Sequence, residues 1–199
     1  MYIWQGEASA AAQMFVHLAR YVMLAYGDHS RDRSLTECEL TLIGCGLTKA
    51  DMRRVEMAVT TAQNSHSAVC IVCGGETTVE VTGTGKGGRN QEMALRFASL
   101  LNKLVKEEIS TFKVYQNFQV EFLSAGTDGQ DGPTDAAGAI VNKNIVAMAD
   151  TQGLNIDDYL ANNDSYSLFK ALQGSDCLIE TGLTGTNVMD IQLLTVQHT

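Results

Sequence analysis

The chain has 199 residues, enough for one large domain or two small ones with a sizeable core. Hydrophobic residues make up 45% and charged residues 19%, which excludes disorder as the main state. The formal charge of −9 argues against a nucleic-acid surface, and every long apolar run is broken too soon for a membrane span.

An acidic balance still leaves room for a phosphorylated small molecule, which one local basic loop can serve. Glycine is the unusual residue, at 18 against a single proline, and many of the glycines cluster. Such clusters mark loops where a side chain would obstruct the backbone. Five cysteines (38, 45, 70, 73 and 177) sit in apolar surroundings, the pattern of reduced thiols inside a cell. Cys70 and Cys73 form a C-x-x-C within the apolar run Ala68–Cys73. No second pair accompanies them, so they read as strand residues and not as a zinc or redox motif. No signal peptide is visible, and Met1–Phe15 holds no basic residue, which points to the cytoplasm.

Residues 8–26 repeat apolar positions at Phe15, Leu18, Ala19, Val22 and Tyr26, a helical spacing closed by Gly27. Asp28–Ser34 is polar and charged and reads as a linker. Thr36-x-x-Glu39 and Thr48-x-x-Asp51 look like capping boxes, each opening a helix. The second of these carries Met52, Val55, Val59 and Ala62 on one face. Ala68–Cys73 reads as a buried strand, Gly74-Gly75-Glu76 as a turn, and Thr77–Thr82 as a second, alternating strand. A glycine-rich loop, Gly83–Gly88, precedes a helix from Arg89 to about Glu107. Its inner face is Ala94, Phe97, Ala98, Leu101 and Leu104. Strands are expected at Asn117–Ser124, Ala136–Val141, Cys177–Ile179 and Val188–Val196. Short helices are expected near 144–152 and 165–173. Strands alternating with helices indicate an α/β layered fold.

Three loops can carry chemistry. Gly83-Thr-Gly-Lys-Gly-Gly-Arg-Asn-Gln-Glu92 places four glycines and two cations before a helix, the arrangement of an anion cradle. Arg89 offers a two-pronged contact that Lys86 does not. The run also matches G-x-G-x-x-G at Gly83, Gly85 and Gly88. About 20 residues on, where a dinucleotide site needs an acid after the next strand, Lys103–Glu108 still reads as helix, so a nicotinamide-dependent oxidoreductase rests on that match alone. Gly126-Thr-Asp-Gly-Gln-Asp-Gly-Pro-Thr-Asp135 brings three carboxylates (Asp128, Asp131, Asp135) to the end of a strand. Ligands bind at such ends, and carboxylates suit Mg²⁺, although Asp and Gly are equally the ordinary residues of turns. Thr181–Asn187 adds hydroxyls and an amide before the last strand. Asn162–Ser165 reads as an N-cap. The four histidines are scattered, with no metal or triad spacing.

Five runs carry a resemblance: Gly74–Val79, Gly87–Glu92, Gly126–Thr134, Asn163–Ser165 and Thr184–Asp190. They are similar, in this order, to the C-terminal MOFRL domain of class II glycerate kinases. The likeness is close over about residues 68–196 and looser over residues 1–66. It implies a layered domain with a mixed β-sheet flanked by helices (67–199), preceded by a helical segment (1–66) left from a Rossmann-like N-terminal domain. It implies ATP- and Mg²⁺-dependent phosphorylation of D-glycerate to a phosphoglycerate in a cleft between two domains. The family's N-terminal sheet and catalytic lysine are nearly all missing from this chain, which reads as N-terminally truncated and inactive alone. The other reading is a non-catalytic module that keeps a phosphate or nucleotide pocket.

On this basis Arg89 and Asp128 are the expected catalytic residues. Gly85, Lys86, Gly87, Gly88 and Asn90 are expected at phosphate or nucleotide. Thr127, Asp131, Thr186 and Asn187 are expected at substrate, and Asp128 and Asp131 at Mg²⁺. The expected partners are D-glycerate and ATP, with no nucleic acid and no membrane; a homo-oligomer is left open. The expected location is the cytoplasm, or the mitochondrion for a longer intact protein.

Overall fold

The computed structural model describes residues 2–27, 33–108 and 113–199. Strand β1 (Tyr2–Glu7) and helix α1 (Ala8–Tyr26) come first, then helices α2 (Arg33–Gly44) and α3 (Lys49–Ser65). Strand β2 (Val69–Thr78) runs through an irregular loop to helix α4 (Arg89–Glu108). Strands β3 (Phe118–Gly126) and β4 (Gly138–Asn142) precede three short helices, α5 (Ile145–Thr151), α6 (Ile156–Ala161) and α7 (Ser165–Ala171). Strands β5 (Leu178–Ile179) and β6 (Asp190–His198) complete the order.

The six strands form one mixed sheet, ordered β1-β2-β6-β3-β4-β5. Only β1 and β2 run parallel; the other neighbours are antiparallel. The α/β layered fold expected from the alternation is therefore present. The central pairing fixes the geometry that matters for function: Asp190, the first residue of β6, lies opposite Gly75 of β2 on one side and Gly126 of β3 on the other.

Helix α1 buries Phe15, Leu18, Ala19 and Val22, the stripe its periodicity predicts. Phe15 meets Phe122 of β3 at 4.7 Å between ring centroids, and Phe97 of α4 stacks on Phe122 at 4.5 Å. All three rings are fully buried, so residues 1–66 and 67–199 contribute to one core. Helix α3 opens with the expected capping box. The Asp51 N–H donates to Thr48 Oγ1 at 3.2 Å, and the Thr48 N–H donates to the Asp51 carboxylate at 3.0 Å.

Several expectations change. Thr36 is not a cap, because α2 is already helical at Arg33, where Arg33 and Glu37 pair across one turn at 2.7 Å. Most of the expected linker 28–34 lies outside the described residues. The Gly74-Gly75-Glu76 turn does not exist. These residues continue β2, because Gly74 and Gly75 pair with Ile3 and Trp4 on one edge and with Ile191 and Asp190 on the other. A two-sided ladder overrides the local turn signal. The second strand expected at Thr77–Thr82 ends at Thr78. Strand β1 and helix α6 were not among the expected elements. Cys70 and Cys73 fall on opposite faces of β2. Cys70 is exposed, whereas burial pushes the Cys73 thiol up to about 11, and the two are not bridged.

Candidate functional site

Three loops converge where β2 and β3 end and β6 begins: 79–88, 127–137 and 180–189. The C-terminal ends of strands are where open α/β sheets bind ligands. A cleft of about 600 Å³ opens there, lined by Glu76, Thr78, Gly87, Gly88, Arg89 and Pro133 among others.

Arg89 is the first residue of α4. Its Nε and Nη2 donate to the two carboxylate oxygens of Asp190 at 2.7 and 2.8 Å. The Asp190 side chain is 0% exposed and that of Arg89 is 31% exposed, so the pair is anchored inward and open outward. These hydrogen bonds raise the Arg89 pKa, against partial burial, so the guanidinium is permanently charged. Glu76 of β2 stands 3.7 Å from Nη2 on the cleft side.

Asp131 has a different place from the one expected. It is buried, and each oxygen accepts two hydrogen bonds. Oδ1 takes the Asn90 N–H (3.1 Å) and Nδ2 (3.2 Å); Oδ2 takes the Gln91 N–H (2.9 Å) and Nε2 (3.1 Å). The carboxylate thus fills the positive end of α4, the position at which a phosphate was expected. Burial pushes its pKa up, and these four bonds oppose that shift. Asn90 is fully buried too, holding Asp131 with its amide and accepting from Ser124 Oγ at 2.6 Å. The two residues hold each other, and neither lines the cleft. Gly88 is required here: a Cβ on it would lie 2.3 Å from the Asp131 carboxyl carbon.

The glycine-rich loop is likewise bound mostly to protein. The N–H groups of Gly83 and Thr84 donate to the side chains of Asn163 (2.9 Å) and Asn162 (3.0 Å). Those of Gly85 and Lys86 donate to the Asn162 carbonyl (2.9 Å) and the Asp164 carboxylate (2.8 Å). The backbone of Gly85 and Lys86 is therefore turned away from a ligand. A Cβ on Gly85 would meet the Asp164 Cβ at 2.3 Å, so this glycine serves close packing. Gly87 and Gly88 remain on the cleft wall. The Lys86 ammonium stands over the Tyr166 ring, 4.3 Å from its centroid, and the Tyr166 hydroxyl donates to Asp135 at 2.7 Å.

Asp128 belongs to a neighbouring cluster. Its Oδ1 accepts the Gln130 N–H at 3.1 Å, and its Oδ2 accepts Asn187 Nδ2 at 3.3 Å. Thr127 Oγ1 donates to the Met189 carbonyl (2.7 Å) and accepts the Val188 N–H (2.9 Å). Thr186 is exposed on the same loop. The structure brings Thr127, Asp128 and Asn187 to one place, while Asp131, expected at substrate with Thr127 and Asn187, lies apart at the start of α4. Gly126 joins the two clusters: a Cβ on it would lie 3.1 Å from Asp128 Oδ1 and 3.6 Å from Asp190 Oδ1.

The donor set fits Mg²⁺ through one of the two expected ligands. Asp131 has all its lone-pair positions filled, whereas Asp128 is half-buried with one hydrogen bond to each oxygen. Mg²⁺ accepts a single carboxylate when water and phosphate complete its shell. Among the described residues, no group of three or more His, Cys, Asp or Glu is arranged to hold a metal.

Three residues carry structural weight that the sequence reading did not assign. Asp190 holds Arg89, and Glu76 flanks it. Asn163, left-handed at φ 52°, binds the backbone of Glu80, Thr82 and Gly83 and the Glu92 carboxylate. All three lie within the runs that carry the family resemblance. That was the available signal, without a role attached.

The MOFRL family model matches residues 69–190, and the chain belongs to the MOFRL family. Glycerate kinase from Rattus norvegicus is 41% identical over 191 residues, which are 96% of this chain and 35% of that protein. The human glycerate kinase is 40% identical over the same share of each. D-glycerate 2-kinase from Thermotoga maritima is 46% identical over 121 residues, 61% of this chain and 25% of that protein. The crystal structure of a Thermotoga maritima glycerate kinase superposes with a TM-score of 0.61 at 31% identity, covering 100% of this chain and 35% of that one. The chain thus matches between a quarter and about a third of the length of these relatives.

Proposed function

We propose that this chain supplies the MOFRL part of an ATP-dependent glycerate kinase, which moves the γ-phosphoryl group of ATP to a hydroxyl of D-glycerate. The observation that carries this reading is Arg89: a guanidinium fixed on one edge by a buried carboxylate, with its other edge in a cleft beside Gly87 and Gly88. Relatives named glycerate kinase, matching 96% of the chain, supply the substrate class.

Phosphoryl transfer needs alignment and charge stabilisation more than covalent chemistry from the protein. Arg89 binds the oxygens of the transferring group, with the Gly87 and Gly88 backbone beside it. Lys86, whose ammonium rests over Tyr166, adds to nucleotide affinity only weakly. Asp128 holds Mg²⁺ or orients the glycerate hydroxyl, and Thr127, Thr186 and Asn187 shape that side. Mg²⁺, when bound, neutralises charge developing on the phosphate oxygens. Residues 1–66 are read as the tail of an N-terminal domain and 67–199 as the MOFRL-like domain. No described helix is long and apolar enough to cross a membrane. The cytoplasm is the proposed location, with the mitochondrion as the alternative.

A coupled assay with ATP, D-glycerate and Mg²⁺, on the chain alone and with the rest of a kinase supplied, tests this. Glycerate-dependent turnover in the supplemented protein that Arg89→Ala leaves intact would sink it. The second reading is a phosphate-binding module without catalysis. Nucleotide binding without turnover in the supplemented protein would select it.

A further inference from the structure

Arg89 has a carboxylate on each of two sides, and the two differ physically. Asp190 is buried and accepts two short hydrogen bonds, from Nε and Nη2. Glu76 is 58% exposed and stands 3.7 Å from Nη2, beyond hydrogen-bond reach. The sheet fixes both places, because Gly75, the neighbour of Glu76, lies opposite Asp190.

A guanidinium carries five N–H groups in a rigid fork. Asp190 engages the Nε and Nη2 side. The Nη1 side, with the second hydrogen of Nη2, is the edge left for a ligand in the cleft. Two oxygens of a phosphate-class anion match that edge. Glu76 competes for it at Nη2. Removing Asp190 would take away the inner partner that fixes the half-buried Arg89 guanidinium, whereas the exposed Glu76 returns to water at little cost.

We infer that the two carboxylates divide the work at Arg89. Asp190 is a positioning residue that aims the guanidinium, and Glu76 is an exchangeable counter-ion that an incoming phosphate-class anion displaces. This rests on the reading of the cleft as a phosphoryl site. It adds opposite signs for two substitutions: Glu76→Gln strengthens anion binding and Asp190→Asn weakens it.

The test is a calorimetric titration of the 199-residue chain with inorganic phosphate at low ionic strength, with the Arg89 Nε–H signal followed by ¹H–¹⁵N NMR. Glu76→Gln is expected to tighten binding by about two- to five-fold, the scale of an exposed ion pair. That gain should fade as salt is added. Asp190→Asn is expected to weaken binding on the order of tenfold and to move the Nε–H signal toward that of a free arginine, with circular dichroism unchanged. If Asp190→Asn does not fold, Asp190→Glu replaces it. The carboxylate is then kept but displaced by one methylene, and binding should still weaken. Phosphate binding that Glu76→Gln leaves unchanged or weakens, or that either Asp190 variant leaves intact, overturns the inference while the phosphoryl-site reading stands. Absence of phosphate binding in both the parent and Glu76→Gln overturns that reading and the inference with it.

Discussion

Arg89, Asp128 and Asp131 make three distinct predictions, because each side chain is held differently. On the proposed reading, the edge of the Arg89 fork that Asp190 does not engage takes the phosphoryl oxygens, so in an assembled kinase Arg89→Ala should lower kcat by on the order of 10³-fold. Circular dichroism should not change, and a near-normal kcat would remove Arg89 from the mechanism. Asp128→Asn keeps its shape but loses the charge a hard cation prefers, so the Mg²⁺ concentration for half-maximal rate should rise. A lost rate with an unchanged Mg²⁺ titration would assign Asp128 to the glycerate hydroxyl instead. Asp131→Asn acts on stability. An amide NH₂ would face donors from Asn90 and Gln91 that now reach a carboxylate oxygen. One or two unsatisfied buried donors should cost on the order of 3 kcal/mol. Thermal unfolding checks this, and an unchanged midpoint would show that the capped end of α4 tolerates the amide.

At the scale of elements, α3 stands on a local device. Thr48→Ala removes the side-chain half of its capping box and should destabilise the chain by about 1 kcal/mol. Urea unfolding measures it, and no shift in midpoint would mean that packing of Met52, Val55 and Val59 alone sets the helix start. Much of what is local here was legible in the sequence, though the box expected at Thr36 and the strand end expected at Thr82 are not found. The stripes of α1, α3 and α4 follow from periodicity, and the box at Thr48 from four residues. What is not local was missed. Gly74-Gly75-Glu76 looks like a turn until β1 and β6 are laid against it, and neither partner is near in sequence. The site shows the same division. Its three loops were legible from glycines, carboxylates and strand ends. The partners were not: Arg89 meets Asp190 across 101 residues, Asn90 meets Asp131 across 41, and Gly83 meets Asn163 across 80. A glycine-rich loop before a helix has two physical uses, anion binding and close packing. Only the position of Asn162, Asn163 and Asp164 shows that Gly83 and Gly85 serve the second.

At the scale of the molecule, α1 and the sheet share one core through Phe15, Phe97 and Phe122. Unfolding should therefore be a single transition, and Phe15→Ala should cost about 3–5 kcal/mol even though Phe15 lies outside the family match. Two separated transitions would show that the helical segment and the MOFRL part fold independently.

Charge decides whether that folded unit can work alone. The cation on the cleft wall is Arg89, and two carboxylates, Asp190 and Glu76, already face it. Lys86 is drawn to Tyr166, and the α4 N-terminus is filled by Asp131. A triphosphate entering this cleft meets little net positive charge from the described residues. On the proposed reading, in which this chain is the MOFRL part of a longer kinase, alignment of the reactants is shared with the rest of that kinase, and such alignment is worth about 7–11 kcal/mol in well-oriented systems. Residues 1–199 should accordingly fold, bind ATP weakly in calorimetry, and give no glycerate-dependent product above background in a coupled assay. Robust turnover by this chain, abolished by Arg89→Ala, would show that the catalytic set is complete within it and that the charge argument is wrong.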